Sequence, residues 1–117
     1  MVKRILYADD DDLFRKVVLR LLTGLGYHAE AVEDGAQALL RAQDAIFDAL
    51  VLDSHMPGLT GIEVATRLRA LEITTPVLLI SAETDVSSLA RLAGTPHYLA
   101  KPFAREDLKQ SLVSMGL

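Results

Sequence analysis

The 117-residue sequence contains no cysteine, which excludes disulfides and any thiolate zinc site. It also has no basic excess. Twelve Lys and Arg face 16 Asp and Glu, a net charge of −4, whereas a nucleic-acid-binding module carries a positive surplus. No direct nucleic-acid partner is therefore expected. No apolar run approaches a membrane span. The apolar opening Ile5-Leu6-Tyr7-Ala8 runs straight into four aspartates and is too short for a signal peptide. The expectation is a soluble, cytoplasmic protein with no membrane association. Internal repeats, low-complexity tracts and linkers are missing as well, so one domain over residues 1–117 is expected.

Half of the sequence is apolar and 24% is charged, the balance of a globular chain able to bury a core. Without Asp9, Asp10 and Asp53 the net charge would be only −1. Most of the acidity thus belongs to three positions rather than to a general acidic surface.

Two kinds of segment alternate. Short apolar runs at Arg4–Ala8, His28–Val32, Ala49–Leu52, Val77–Ile80 and Tyr98–Ala100 are bounded by Asp, Gly, Pro and Ser, as buried parallel strands are. Between them lie helical patterns. Phe14, Val17, Val18, Leu21, Leu22 and Leu25 form one apolar stripe, ended by Gly24 and Gly26. Further helices are read at Ala36–Gln43, Ile62–Leu71, Asp85–Ala93 and Ala104–Met115, the last with Leu108, Leu112 and Met115 on one side. Five β-α repeats call for a parallel sheet with helices on both faces and right-handed crossovers. The expected class is α/β, a flavodoxin-like three-layer (βα)5 sandwich whose known strand order is 2-1-3-4-5.

In such sheets ligands sit beyond the carboxyl ends of the strands, where the strand order reverses. Strand one is followed by Asp9-Asp10, strand three by Asp53, strand four by Ser81 and strand five by Lys101. Three carboxylates, a hydroxyl and an ammonium should therefore share one rim. Two like charges ~4 Å apart repel by roughly 4 kcal/mol at an effective dielectric near 20. Either one carboxyl is protonated or a divalent cation sits among them. Mg²⁺ suits a small all-oxygen set that leaves room for water and phosphate. A carboxylate beside Mg²⁺ and Lys can act as nucleophile in phosphoryl transfer, with the hydroxyl donating to the phosphoryl oxygens.

Four pieces resemble the receiver domain of two-component response regulators along essentially the whole chain. They are Ile5–Asp11, Asp48–Gly61 with its Asp53-Ser54-His55-Met56-Pro57-Gly58 core, Ile80-Ser81-Ala82, and Tyr98-Leu99-Ala100-Lys101-Pro102-Phe103. The resemblance implies that Asp53 is the phosphoacceptor and that Asp9 and Asp10 belong to a Mg²⁺ site, with Asp10 the more direct ligand. It also implies that the backbone carbonyl of His55 completes the ligands, that Ser81 and Lys101 contact the phosphoryl group, and that Tyr98 is a switch aromatic coupled to Ser81. The Lys101-Pro102 bond is often cis in such proteins. The implied partners are a histidine kinase or histidine phosphotransfer protein, and a downstream partner or output domain reached through the helix 4-strand 5-helix 5 face. The module would be no enzyme apart from assisting its own phosphorylation and dephosphorylation. Since no output domain follows within the sequence, it would act alone, in a phosphorelay, or as the front of a longer regulator.

Asp12 stands where proline is common in that family, and Thr60 where aspartate is common. The stretch from Ser81 to Lys101 is short, leaving about nine residues for a fourth helix that depends on tertiary packing. Blander readings compete at single residues. Asp11 and Asp12 read as a helix-capping turn, and Tyr98 could fill the core edge. His28, His55 and His97 share no ligand spacing and read as structural or exposed, though His55, two residues past Asp53, could limit water's approach. Two other functions remain open: a receiver-like docking module that is never phosphorylated, and a haloacid-dehalogenase-type phosphatase. The latter would need a Thr or Val where Leu13 stands and a further acidic pair after the lysine.

Overall fold

The structure is a computed structural model and describes residues 2–117. Five strands alternate with five helices: β1 (Arg4–Ala8), α1 (Asp12–Gly24), β2 (His28–Val32), α2 (Gly35–Asp44), β3 (Ala49–Asp53), α3 (Gly61–Ala70), β4 (Val77–Ser81), α4 (Val86–Ala93), β5 (His97–Ala100) and α5 (Arg105–Ser114). All strand pairs are parallel, in the order β2-β1-β3-β4-β5. The expected architecture is the observed one. Among the described residues no helix is long and apolar enough to cross a membrane.

Burial follows position in the sheet. Nearly every residue of β1, β3 and β4 is buried, while the edge strands β2 and β5 are only half covered. Successive side chains of a strand face opposite ways, so each central strand feeds two cores. Ile5, Tyr7, Val51, Ile80 and Leu99 join the layer under α1 and α5, built with Val18, Leu22, Leu108 and Leu112. Leu6, Ala8, Leu50 and Leu52 join the opposite layer under α2 and α3, with Ala38, Val64 and Leu68.

Local chemistry sets the helix ends. Asp11, Asp34, Thr60 and Asp85 each accept a backbone N–H of the first turn, the role expected of short oxygen-bearing side chains. Thr60 and Glu63 form a reciprocal capping box. Asp11 and Asp12 have the roles expected of a capping turn, since Asp12 pairs with Arg15. Gly94 closes α4 in the left-handed region at φ 72°. With only eight residues, α4 holds through buried Val86, Ala90 and Ala93.

One expectation needs correction, and one alternative falls away. Val17 belongs to the apolar stripe of α1, yet it is 46% exposed. Val18 and Leu22 take the core positions, which turns Val17 and Leu13 outward together. Tyr98 does not fill the core edge, being 46% exposed on an edge strand that alternates between half-buried and exposed residues.

Gly61 matters most for the site. It opens α3 against β3, and a Cβ there would collide with the backbone carbonyl of Asp53. Gly61→Ala should therefore cost about 1–3 kcal/mol through overpacking, read as a lower urea midpoint with unchanged slope. Gly24, in the last turn of α1 with open space around its Cα, is the control. Gly24→Ala should be neutral or stabilising by up to about 1 kcal/mol.

Candidate phosphoryl and metal site

The strand alternation continues past the ends of the strands. Asp9 follows Tyr7, Asp53 follows Val51 and Lys101 follows Leu99, each two residues on and each toward the α1/α5 layer. The three side chains accordingly meet. Lys101 Nζ lies 2.7 Å from Asp53 Oδ2 and 2.8 Å from Asp9 Oδ2, while both carboxylates are buried. Asp10 is exposed at the lip, and Asp9, Asp10 and Asp53 each offer an oxygen within 4.8 Å of the others. The backbone N–H of His55 donates to Asp53 Oδ1 at 3.2 Å. Asp10, Asp53, His55, Ser81 and Lys101 line one open cavity of about 230 Å³.

Asp9 is fully engaged by the protein. The Tyr7 hydroxyl donates to its Oδ2 at 2.7 Å and the backbone N–H of Asp11 to its Oδ1 at 3.0 Å. Burial pushes its carboxyl up, but the hydrogen bonds from Lys101, Asp11 and Tyr7 outweigh this and hold it below the usual range. Tyr7 is raised, by burial first and then by its bond to Asp9, and so keeps its proton. At Asp53 burial dominates. It and the charge of Asp9 push the carboxyl up to about 6 against the pull of Lys101. Lys101 is itself raised, since its bonds to the two carboxylates outweigh the opposing effect of its burial. The two carboxylates thus divide the roles, one firmly ionised and one poised near neutrality.

Tyr7 read only as an apolar strand residue in the sequence, although it stands two before Asp9 on the same face. Phe14 was likewise read as core only. Its ring sits 4.5 Å from Lys101 Nζ and meets Phe103 edge-on at 5.5 Å, so an aromatic wall backs the ammonium. The Lys101-Pro102 bond is cis.

Ser81 lines the same cavity but joins a different set. It follows Leu79 on the α3 side of β4, and its fully buried Oγ lies 2.6 Å from Ser54 Oγ and 3.0 Å from the Glu83 N–H. Tyr98 is exposed on the edge strand β5, His28 and His55 are exposed and His97 is half-buried, the three histidines lying on different strands or loops.

A doubly wound sheet with an ammonium, three carboxylates and a hydroxyl at its reversal point defines a phosphate- and cation-handling class. Residues 5–113 match the family described as the response regulator receiver domain. Response regulator MprA of Mycobacterium bovis is 44% identical over 110 residues, 92% of this chain and 48% of that protein. The chain thus spans about half the length of the curated relatives it matches. The chemotaxis response regulator CheY4 of Vibrio cholerae superposes with a TM-score of 0.90 at 32% identity, over 98% of this chain and 99% of that one. The response regulator TrrA of Thermotoga maritima, solved with Mg²⁺ and BeF, superposes at 0.88 with 28% identity, over 97% of this chain and 99% of that one.

The chain belongs to the response regulator receiver-domain family. It is a phosphoacceptor signalling domain of two-component type, which sets aside the haloacid-dehalogenase reading. Leu13, which stands at that family's Thr or Val position, is 74% exposed on α1.

The raised Asp53 carboxyl has a measurable consequence. Its ordinary value is 3.8 and its folded value about 6, so between these the folded chain binds a proton more tightly than the unfolded one. Stability falls as pH rises through that window. In metal-free buffer Asp53→Asn should exceed the wild type in thermal stability at pH 7–8, on the order of 2 kcal/mol. The gap should close as pH drops from 6 toward 4. Asp9 acts in the opposite sense and only below about pH 4. A mutant less stable than wild type at pH 8 would contradict the assignment.

Proposed function

We propose that residues 1–117 form one receiver domain in which Asp53 is the phosphoacceptor. One observation carries the reading: the Asp53 carboxylate lies 2.7 Å from the Lys101 ammonium, within a cluster completed by Asp9 and Asp10. An Asp53 oxygen attacks phosphorus and the bond from phosphorus to the donor's imidazole nitrogen breaks, its electron pair returning to that nitrogen, so that a ring protonated on its other nitrogen leaves as neutral imidazole. The product is a mixed anhydride on Asp53. Lys101 neutralises charge on the phosphoryl oxygens and Ser81 donates a hydrogen bond to them. These are the residues by which the domain assists its own phosphorylation and dephosphorylation. His55, exposed beside Asp53, governs the approach of water.

The donor set fits Mg²⁺, being all oxygen and carboxylate-rich with room left for a phosphate. Asp10 and Asp53, with the backbone carbonyl of His55, would hold the ion, and Asp9, whose oxygens already accept from protein donors, would hold it through water. When bound it supplies charge neutralisation at the phosphoryl oxygens.

The donor is a histidine kinase or a histidine phosphotransfer protein in the cytoplasm. Output passes through the α4-β5-α5 face, where Leu92, Tyr98 and Val113 are exposed at 70%, 46% and 58%. These exposed apolar side chains support a docking role for that face, and Tyr98 is its switch element.

With labelled acetyl phosphate and Mg²⁺, the wild type should incorporate label. Asp53→Asn should lose at least about 100-fold of it, and EDTA should do the same to the wild type. A wild type that takes no label would instead be a docking module that is never phosphorylated.

A further inference from the structure

The proposed function requires the Ser81 hydroxyl at the phosphoryl group, yet its bonding lies elsewhere. Strand alternation puts Asp53 toward the α1/α5 layer and turns Ser54 and Ser81 toward α3. The two serines meet because β3 and β4 run in register, with Asp53 opposite Ile80 and the Ser54 N–H bonded to the Ile80 carbonyl at 2.8 Å. Their hydroxyls are 2.6 Å apart and both residues are buried. Ser81 Oγ also accepts the Glu83 N–H at 3.0 Å, which ties the loop before α4 into the same knot. Among the described residues these are its hydrogen-bond partners.

The serine pair borders two neighbouring cavities, which share His55 and Glu83 in their linings. One is the space of about 230 Å³ that Ser81 lines with Asp53 and Lys101. The other, bordered by Ser54, is a cavity of about 470 Å³ between the loops that precede α3 and α4. Ser81 Oγ accepts from both the Ser54 hydroxyl and the Glu83 N–H, which occupies its two lone pairs and fixes where the oxygen sits. Its own hydrogen is left to donate, but carrying that oxygen across to a phosphoryl group on Asp53 would break both contacts.

We propose that Ser54 is a positioning residue that latches the Ser81 hydroxyl and the loop at 82–85 in the resting form, in competition with the phosphoryl group. The proposal rests on Asp53 being the phosphoacceptor. Capture of Ser81 by the phosphoryl group breaks the Ser54 bond and frees the loop. The apparent affinity for a phosphoryl mimic is then reduced by the fraction of molecules held latched.

The test is a beryllofluoride titration in Mg²⁺, followed by amide NMR on the full chain. Ser54→Ala should bind beryllofluoride more tightly, by about fivefold, the factor that one net hydrogen bond between neutral groups represents. Its free-state resonances should move toward the bound positions of the wild type. Ser54→Thr keeps the hydroxyl, with the adjacent cavity to take its methyl group, and should return the affinity to the wild-type value. Equal or weaker binding by Ser54→Ala would overturn the latch, even if that variant were less stable, because a purely structural serine would not tighten binding when removed. A wild type that fails to bind beryllofluoride would overturn the Asp53 reading itself, and the latch with it.

Discussion

The ammonium of Lys101, held within 2.8 Å of two buried carboxylates, is the contact on which the site depends. Two ionised carboxyls in a sparsely hydrated rim are costly unless paired and hydrogen-bonded. Here one cation serves both, Tyr7 adds a second donor on the same Asp9 oxygen, and the remaining oxygens accept from the Asp11 and His55 N–H groups. One positive charge shared between two negative ones leaves a residual negative charge at the cavity. Burial and the charge of Asp9 make Asp53 uncomfortable as an anion, and the residual charge leaves the rim open to a cation. A fully neutralised pair would have had no reason to react.

The fold supplies this contact through parity. Residues two apart along a parallel strand share a face, so Tyr7 and Asp9, Val51 and Asp53, and Leu99 and Lys101 form three continuations of one apolar layer into polar side chains. The other parity carries Leu52 to Ser54 and Leu79 to Ser81. The rim therefore has a charged half over α1 and α5 and a hydroxyl half over α3. The first half holds the carboxylates and the ammonium. The second ties the β3 and β4 ends to the loop before α4, and under the proposed latch it is the half through which a change at Asp53 would reach the outer helices.

The element order and the rim residues were legible because each rests on local chemistry. Asp11 and Asp12 announce a helix start, Gly24 and Gly26 an end, and short apolar runs stop at polar residues. The division of the rim was not read, because Ser81 was assigned by which strand it ends rather than by which face it occupies. The alternation that separates it from Asp53 was present in the sequence all along. Tyr7 was hidden for a related reason: inside an apolar run its ring reads as core, and only its place two residues before Asp9 gives its hydroxyl a polar partner. The outward turn of Val17 had no such signal. A broad apolar stripe does not say which of its margins the sheet will cover, since that depends on the angle at which α1 lies across the sheet.

A carboxylate that takes a phosphoryl group becomes a mixed anhydride, and borohydride reduces that anhydride to an alcohol, turning the aspartate concerned into homoserine. Mass spectrometry of peptides from chain treated with acetyl phosphate, Mg²⁺ and then borohydride would therefore mark the acceptor. The account predicts homoserine at position 53 and unmodified Asp9 and Asp10. Homoserine at either of those two positions, or at none, would contradict it.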